Sequence, residues 1–246
     1  MTIITACYNS ALTIEKTINS IISQNYSEIE YIIIDGLSTD KTSQIISKYK
    51  SQISRIISEP DKGIYDALNK GLKVSSGDII GFVHSDDILA NNSVISDIVS
   101  MFKVNEFDII WGDLIIENIS SKKIKRFYSG GRIGRKSFNI GVMPPHPATF
   151  IRTTVYKKFG SFNTLYKISS DYDLLFRFIV LSKVSYGYIN KVLVIMSDGG
   201  ISNSSWFNKL LLNFEIIKIH KYHKKPIKLS NLIKKIPFRL KEISNL

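Results

Sequence analysis

The chain has 246 residues, of which 44% are hydrophobic and 22% are charged, and its formal net charge is +12. This length suits one domain, or one domain with an appendage, and the composition indicates a soluble globular protein rather than a disordered or fibrous one. The single cysteine, Cys7, excludes an intrachain disulfide and a thiolate metal cluster. No apolar run is long enough to span a bilayer, and the N-terminus lacks the pattern of a signal peptide, so we expect a cytoplasmic protein.

The first two thirds of the chain alternate between strand-like and helix-like segments. Short apolar runs bounded by polar residues are typical of buried strands, and isoleucines that recur three or four residues apart are typical of helices. The pattern predicts strands at residues 2–6, 31–34, 55–57 and 78–83 and helices at residues 14–25, 63–74 and 91–102, with a further helix that ends at Lys48. This order predicts an α/β fold whose mainly parallel sheet is flanked by helices on both faces.

The pattern loosens after residue 108. We predict short strands at residues 109–113, 114–116 and 124–127, a loop rich in Gly and Pro at 129–147, helices at 153–159 and 171–181, and an extended segment at 185–195. A long loop of this kind suits a cover over a binding site. Residues 206–220 have the spacing of an amphipathic helix.

Two adjacent acids, Asp86 and Asp87, follow the strand predicted at residues 78–83. We expect them at the carboxyl end of that strand, which is the edge where open α/β sheets bind ligands. Neighbouring carboxylates repel each other unless a cation lies beside them, and hard oxygen ligands suit Mg²⁺ or Mn²⁺ carrying phosphates. A helix N-cap is the alternative interpretation of this pair.

Two other predicted strands also end in residues suited to ligand binding, namely Tyr8 and Asp35. Parallel strands place these ends along the same edge as Asp86 and Asp87. Tyr8 is suited to stack on a base, Asp35 to accept an imide N–H, Asp86 to accept a ribose hydroxyl and Asp87 to bind the metal. The alternatives are a half-buried core tyrosine for Tyr8 and a turn acid for Asp35.

Six segments together resemble the family 2 glycosyltransferases, which have the GT-A fold, and the resemblance runs from residue 2 to about residue 202. The segments are residues 6–9, 34–42, 59–71, 85–87, 146–150 and 170–174. The third is similar to the subgroup that builds bacterial surface polysaccharides such as O-antigen and capsule. The resemblance implies inverting transfer of a hexose or N-acetylhexosamine from a UDP-sugar, helped by Mg²⁺ or Mn²⁺, to a glycan on a polyprenyl diphosphate carrier.

The resemblance also implies roles for individual residues. Asp87 matches the metal ligand of the family and Asp171 matches its general base. Many relatives carry an arginine where Leu68 stands, so we expect Asp66 and Asn69, which share one helical face, to meet the donor instead. The residues expected to bind the nucleotide sugar are Thr5, Ala6, Tyr8, Asp35, Asp66, Asn69 and Asp86.

Asp171 begins the helix predicted at residues 171–181. The helix dipole stabilises a carboxylate at this end as the anion, which suits a base that accepts the proton of the acceptor hydroxyl. A plain N-cap is the alternative. Asp173 lies on another face, where we expect it to support the helix start or to pair with Arg177.

Two further polar residues have open interpretations. We interpret His146 as a structural residue, because a lone histidine is more often structural than functional. The alternative is that it contacts the acceptor or the donor phosphates. Asp113 either binds a donor hydroxyl or is a solvated turn acid.

The chain is expected to divide into a GT-A domain at residues 1–204 and a basic helical extension at 205–246. Within the domain, residues 1–113 form the nucleotide-sugar half and 114–204 the acceptor half. Residues 218–246 contain nine lysines and arginines against one acid, which is +8 of the net +12. A basic amphipathic segment suits an anionic bilayer, so we expect peripheral attachment to the inner face of the plasma membrane. Packing of this segment on the body and a homodimer contact are the alternatives.

The sequence features expected of three other functions do not match this chain. A nucleotidyltransferase is expected to carry a Gly-rich basic loop after its first strand, and residues 6–13 contain none. A non-catalytic sugar-nucleotide-binding relative has no need of both Asp87 and Asp171. A nucleic-acid-binding protein is expected to carry its basic charge on the body. We therefore expect a metal-dependent inverting glycosyltransferase with no nucleic-acid partner.

Overall fold

The computed structural model describes residues 1–118, 121, 123–198 and 206–235. Its centre is a nine-stranded sheet in the order β3-β2-β1-β4-β8-β6-β9-β5, with β7 paired to β6. The strands are β1 (Thr2–Cys7), β2 (Glu30–Asp35), β3 (Arg55–Ser58), β4 (Ile79–Phe82), β5 (Asp87–Leu89), β6 (Ile109–Glu117), β7 (Ile124–Tyr128), β8 (Thr149–Arg152) and β9 (Tyr186–Ser197).

Helices cover both faces of this sheet. They are α1 (Ile14–Ile22), α2 (Thr42–Lys48), α3 (Ile64–Val74), α4 (Val94–Val104), α5 (Thr153–Phe159), α6 (Ser170–Leu175), α7 (Trp206–Tyr222) and α8 (Leu229–Ile233). The structure therefore confirms the predicted α/β class with a mainly parallel core sheet flanked by helices.

The first four strands form the parallel part of the sheet. β1 pairs in parallel with β2 on one side and with β4 on the other, and β2 pairs with β3. The chain thus moves outward from β1 to β3 and returns to the other side of β1 as β4. Such a reversal opens a crevice at the carboxyl ends of the two strands, which is where α/β sheets bind ligands.

The sheet becomes mixed beyond β4, which the sequence pattern did not predict. β8 runs antiparallel to both β4 and β6, and β5 runs antiparallel to β9. The predicted strands at 109–113 and 114–116 are one continuous strand, β6, which pairs with three partners along its length. The predicted helix at 171–181 is α6 followed by a π-helical segment at Phe176–Leu181.

Two apolar cores lie on opposite faces of the sheet because consecutive residues of a strand point in opposite directions. In β1, Ile4 packs into one core and Ile3 into the other. Helix α3 lies directly on β1, since a Cβ atom built on Gly71 would lie 2.6 Å from a side-chain carbon of Ile4. This close approach brings α3 to the crevice beside β1.

The C-terminal helix α7 packs on the body of the protein. Ile216 and Ile219 of α7 are buried in the same core as β1 and α3. Among the described residues, none of the helices combines the length and apolarity that a membrane crossing needs. The chain between residues 199 and 205 lies outside the described residues, as does the tail from residue 236, including the predicted helical positions there.

Candidate active site

A cavity of about 810 Å³ opens at the carboxyl ends of β1 and β4. Its walls come from the segments that follow these strands, from residues 141–147 and from helices α3, α6 and α7. The predicted site residues that it brings together are Ala6, Tyr8, Asp86, Asp87 and Asp171. The residues that line it therefore come from both halves of the proposed domain.

Asp86 lies in the turn between β4 and β5 and Asp87 is the first residue of β5, so neither acid is at a helix N-cap. The backbone N–H of Asp87 donates to the carbonyl of His84 at 3.0 Å, which closes the turn. Thr17 of α1 donates its hydroxyl to the carbonyl of Asp87 at 2.7 Å, and Ser197 of β9 donates to the carbonyl of Asp86 at 2.8 Å. The turn is thus fixed from both sides, which orients the two carboxylates.

Asp87 is completely buried, yet neither of its carboxylate oxygens has a hydrogen-bond partner. Burial raises the pKa of Asp87 well above its ordinary value, and the neighbouring charge of Asp86 raises it further. A buried carboxyl without a partner carries a free-energy penalty in the ligand-free protein. A cation bound in the cavity would remove this penalty by stabilising the anion.

The donor set of this turn fits a hard divalent cation. The described residues hold no cluster of three or more His, Cys, Asp or Glu side chains that could enclose a metal by themselves. Mg²⁺ commonly needs only one or two protein carboxylates, because substrate phosphates and water supply its other ligands. Asp87, with Asp86 beside it, meets this requirement through the two free oxygens of Asp87.

Tyr8 stands at the mouth of the cavity with 61% of its side chain exposed. Its ring lies near Gly36, where an added Cβ atom would be 3.5 Å from the ring and 2.4 Å from an oxygen of Asp61. A side chain at position 36 would therefore displace the carboxylate of Asp61, while its contact with the Tyr8 ring would be an ordinary one. The exposed ring offers a free face on which a base can stack.

Four of the predicted site residues do not line the cavity. Thr5 is buried and donates to the carbonyl of Val83, and the carboxylate of Asp35 accepts hydrogen bonds from serine hydroxyls, of which Ser58 is 2.7 Å away. Asp66 forms an ion pair with Lys70, and the amide of Asn69 pairs with the backbone of Phe162. Their roles in nucleotide binding stay predictions.

Asp171 lies in the first turn of α6 and faces the cavity. Its Oδ1 accepts the backbone N–H of Tyr172 at 2.7 Å, and the hydroxyl of Tyr65 lies 3.3 Å from the same oxygen. Burial is the main reason that the pKa of Asp171 rises to about 6, and the charge of Glu215 adds to the shift. A carboxylate with a pKa near neutrality can both accept and release a proton at physiological pH.

Helix α7 holds the segment that carries Asp171. Glu215 accepts the backbone N–H groups of three consecutive residues, 167 to 169, at 2.8 to 3.1 Å. On the next turn of α7, His220 lies 2.8 Å from the hydroxyl of Tyr172. We call this set of contacts the α7 clasp, and it links the position of Asp171 to the seating of α7.

Asp173 points away from the cavity, as the sequence predicted. The structure confirms its pairing with Arg177 at 2.9 Å, and His223 of α7 lies 2.8 Å from its other oxygen. Asp113 is also outside the cavity. It is buried rather than solvated, and it accepts hydrogen bonds from the hydroxyl of Tyr188 and the backbone of Gly130.

Sequence reasoning missed several residues that line the cavity, among them Asp61, Tyr65 and His84. The first two lie within the segment at 59–71 that carries the family resemblance, so the motif contained them without indicating their direction. His84 lies between the apolar run at residues 79–83 and Ser85. Their positions in the cavity depend on how the segments around α3 and after β4 pack together, which no periodicity in the sequence reveals.

Apolar side chains form much of the cavity wall. They are Leu114, Ile116, Val142, Met143, Met196, Leu212 and Ile216, and Tyr128 and Lys167 add polar groups to the lining. Met196 of β9 is the strand partner of Asp87, whereas Leu212 and Ile216 come from α7. The cavity therefore combines two adjacent acids with apolar side chains, some beside those acids and some on α7.

The sequence matches the model of the family described as "Glycosyl transferase family 2" over residues 2–164. It is 26% identical over 209 residues to a "PGL/p-HBAD biosynthesis glycosyltransferase" of Mycobacterium bovis, covering 82% of this chain and 78% of the relative. It is 29% identical over 196 residues to an uncharacterized glycosyltransferase of Rickettsia typhi, covering 76% and 61% of the two chains.

The fold is similar to two solved glycosyltransferase structures. Staphylococcus aureus TarS in complex with UDP aligns with a TM-score of 0.66 at 18% identity, covering 89% of this chain and 63% of that one. A mannosyltransferase from Pyrobaculum calidifontis, in complex with GDP-Man and Mn²⁺, aligns with a TM-score of 0.67 at 13% identity, covering 92% and 64%. This chain thus spans less than two thirds of either protein.

The family match covers well over half of the chain, and the solved structures share its GT-A fold. The acidic turn after β4 lies within the matched residues, as do Tyr8 and the crevice between β1 and β4. The chain belongs to glycosyl transferase family 2 and is a glycosyltransferase.

Proposed function

We propose that this protein is an inverting, metal-dependent glycosyltransferase of bacterial surface-polysaccharide assembly. It moves a hexose or N-acetylhexosamine from a UDP-sugar to a hydroxyl of a lipid-linked oligosaccharide. The observation that carries the proposal is that Asp87 and Asp171 line the same cavity. Inverting transfer needs stabilisation of the leaving diphosphate, which a metal held by a carboxylate can supply, and a base for the attacking hydroxyl on the other side of the sugar.

The nucleotide is proposed to lie at the mouth of the cavity, against the segment that follows β1. The exposed ring of Tyr8 stacks on the base and Asp86 accepts a ribose hydroxyl, while Ala6 lines the wall beside them. TarS, which shares the fold, has been solved with UDP and with UDP-GlcNAc. A uracil nucleotide is therefore the first donor class to test.

Asp87 is proposed to hold Mg²⁺ or Mn²⁺ with the diphosphate of the donor. Such an ion would supply Lewis-acid stabilisation of the leaving diphosphate. The protein contributes the orientation, because hydrogen bonds from Thr17 and Ser197 fix the turn on both sides. The mannosyltransferase of similar fold binds Mn²⁺ together with GDP-Man, which supports a divalent cation here.

Asp171 is proposed to be the general base. Its Oδ1 is held by the backbone of Tyr172, which leaves the other oxygen for the acceptor hydroxyl. As that hydroxyl attacks the anomeric carbon, its proton passes to Asp171 and the bond to the diphosphate breaks. A pKa of about 6 keeps the carboxylate largely ionised at neutral pH, ready to accept the proton.

The acceptor is proposed to approach along the part of the cavity wall that α7 forms. Leu212 and Ile216 line the cavity from the inner face of this helix. An acceptor that consists of sugars alone would leave such side chains without a matching surface. An acceptor on a polyprenyl diphosphate carrier brings apolar atoms next to its first sugars, which suits this wall.

The outer face of α7 supports membrane attachment through the segment at 205–246. Phe207, Leu210 and Phe214 follow one another along this face, and their side chains are 73%, 56% and 65% exposed. Lys218 and Lys221 continue the same face toward the C-terminus. Aromatic and aliphatic side chains beside lysines are the composition of helices that lie on anionic bilayers. We call these five residues the α7 outer face.

The test is calorimetric titration with UDP-glucose, UDP-N-acetylglucosamine, UDP-galactose and GDP-mannose, each with and without Mn²⁺. We expect one UDP-sugar to bind in a manner that depends on Mn²⁺, and Asp87→Ala to lose this dependence. Asp97→Asn is the matched control, because it removes a carboxylate that forms an ion pair with Lys191 outside the cavity. Binding of none of the four sugars would contradict the proposal.

A further inference from the structure

The cavity contains an unusual share of the polar atoms that lack partners. Among the described residues, six buried side-chain nitrogen and oxygen atoms form no hydrogen bond. Four of the six belong to Asp87, His84 and His146, and all three residues line the cavity. A buried polar atom without a partner destabilises the ligand-free protein, so a ligand that supplies the partner gains affinity.

The two histidine rings are held in place by aromatic packing. His146 is 4% exposed, stacks on Phe82 with ring centroids 5.4 Å apart, and receives the edge of Phe162 at 5.6 Å. His84 stacks against His146 at 6.1 Å. A structural histidine normally has its nitrogens bonded to protein groups. Here packing fixes the rings while Nδ1 of His84 and Nε2 of His146 stay without partners.

These rings belong to an aromatic row that runs along the cavity wall, with Phe162 behind the wall in the core. The row begins with His84, beside the acidic turn, and continues through His146 and Phe162 to Tyr65, whose ring stacks on Phe162 at 5.6 Å. The hydroxyl of Tyr65 then lies 3.3 Å from the carboxylate of Asp171. The row therefore joins the proposed leaving-group site to the proposed base.

In-line transfer fixes where the sugar lies. The anomeric carbon must stand between the leaving diphosphate and the attacking hydroxyl, and so between Asp87 and Asp171. The two histidines occupy this interval of the row. We propose that His84 and His146 bind the transferred sugar of the donor through its hydroxyl groups, an inference that rests on the proposed glycosyl transfer.

The chemistry of the rings suits a neutral, hydroxyl-bearing ligand. Burial, followed by the nearby His84, lowers the pKa of His146 to about 3, so the imidazole of His146 is uncharged at neutral pH. A neutral imidazole offers one donor and one acceptor nitrogen. A sugar hydroxyl can both donate and accept a hydrogen bond, so it can pair with a histidine nitrogen in either tautomer of the ring. The histidines thereby contribute to sugar specificity, because a donor whose hydroxyl points elsewhere leaves the nitrogens without partners.

The test is His146→Phe, which keeps an aromatic ring on Phe82 and removes the nitrogens. We expect the ligand-free variant to melt about 2–4 °C higher than the wild type, because a buried polar group without a partner is gone. We expect its affinity for the UDP-sugar selected by calorimetry to fall about tenfold, since hydrogen bonds to the sugar are lost. Its affinity for UDP alone stays within about twofold of wild type.

Tyr156→Phe is the matched control. The hydroxyl of Tyr156 is also buried without a partner, but the residue does not line the cavity. This variant is expected to melt at a higher temperature and to bind the UDP-sugar as the wild type does. His146→Gln, which keeps polar atoms, is expected to recover part of the sugar affinity, and His84→Phe is expected to behave like His146→Phe.

Each result separates this inference from the proposed function. Equal affinity of wild type and His146→Phe for the UDP-sugar overturns the inference and leaves glycosyl transfer in place. Equal weakening of UDP and UDP-sugar also overturns it, because the contact would then be to the nucleotide. A wild-type protein that binds no nucleotide sugar rejects the proposed function and this inference with it. A lower melting temperature of both His146 variants assigns the ring a structural role.

Discussion

Asp171 is a carboxyl whose ionisation opposes folding in the ligand-free protein. Its pKa is about 6 in the folded chain, while an unfolded chain releases the proton near pH 4. Between about pH 4 and 6 the unfolded state therefore loses the proton first, so this group makes stability fall as pH rises. We expect Asp171→Asn to melt progressively higher than wild type from pH 4 to 6, with a constant difference above. A difference independent of pH in thermal unfolding would contradict the assignment.

The same carboxyl governs the rate if it is the base. Only the ionised form accepts a proton, so kcat/KM, which follows the ionisation of the free enzyme, is expected to fall about tenfold per pH unit below about pH 6. Asp171→Asn is expected to lose at least about 100-fold in kcat while it binds the donor normally. The measurement is the pH dependence of transfer in a steady-state assay with the selected donor.

Asp173, two positions after Asp171 in the sequence, provides the control for this prediction. It forms an ion pair with Arg177 and contacts His223, but it does not line the cavity. Asp173→Asn is expected to lower the free energy of unfolding by about 1–3 kcal/mol while kcat and its pH profile stay near wild type. Loss of transfer in Asp173→Asn with activity retained in Asp171→Asn would exchange the two roles.

At the scale of the element, α7 has two apolar faces with different surroundings. The inner face lines the cavity and the core through Leu212, Ile216 and Ile219, so it must stay with the protein. The α7 outer face is exposed to solvent and can be changed without loss of packing. The simple amphipathic pattern predicted for residues 206–220 is therefore wrong in its first turns, where the exposed side is apolar too.

This separation allows the membrane proposal to be tested cleanly. Replacing Phe207, Leu210 and Phe214 by serine is expected to weaken binding to anionic vesicles by about tenfold or more, because buried apolar area is lost. Thermal stability is expected to stay near wild type. Val104→Ser is the control, since Val104 is 82% exposed at the end of α4. Co-sedimentation that is unchanged by the triple substitution would exclude this face as the bilayer contact.

At the scale of the whole molecule, donor binding is coupled to stability by mass action. A ligand present at about 100 times its Kd adds about 2.7 kcal/mol, which for a chain of this size is a rise of about 5–10 °C in Tm. We expect this rise with the selected UDP-sugar and Mn²⁺ together, and little of it with either alone. Asp87→Ala is expected to abolish the joint effect in thermal unfolding. An equal rise without metal would argue for a metal-independent site.

The sequence predicted the parts of this fold that depend on local pattern. The buried strands of the first half, Tyr8 after β1 and the two acids after β4 could be placed because strand ends meet at one edge. The direction of Asn69 could not, since its partner Phe162 is 93 residues away in the chain and only tertiary packing selects that contact. The mixed order of β5, β8 and β9 depends on similar long-range pairing.

The histidines illustrate why a candidate site is harder to predict than a strand. The sequence favours a structural role for His146, and its packing against Phe82 agrees with a fixed ring. The absence of a partner for its Nε2, by contrast, is a property of the folded environment that no residue type or spacing encodes. Packing between distant segments also determines which of the predicted residues line the cavity.

The α7 clasp sets a limit on how this enzyme can be shortened in the laboratory. Removing the chain after residue 204, at the predicted domain boundary, would take away Glu215 and leave three backbone N–H groups ahead of Asp171 without their acceptor. It would also open one wall of the cavity. A minimal expression fragment must therefore extend at least through His220, and a shorter one is expected to retain the nucleotide site but misplace the base.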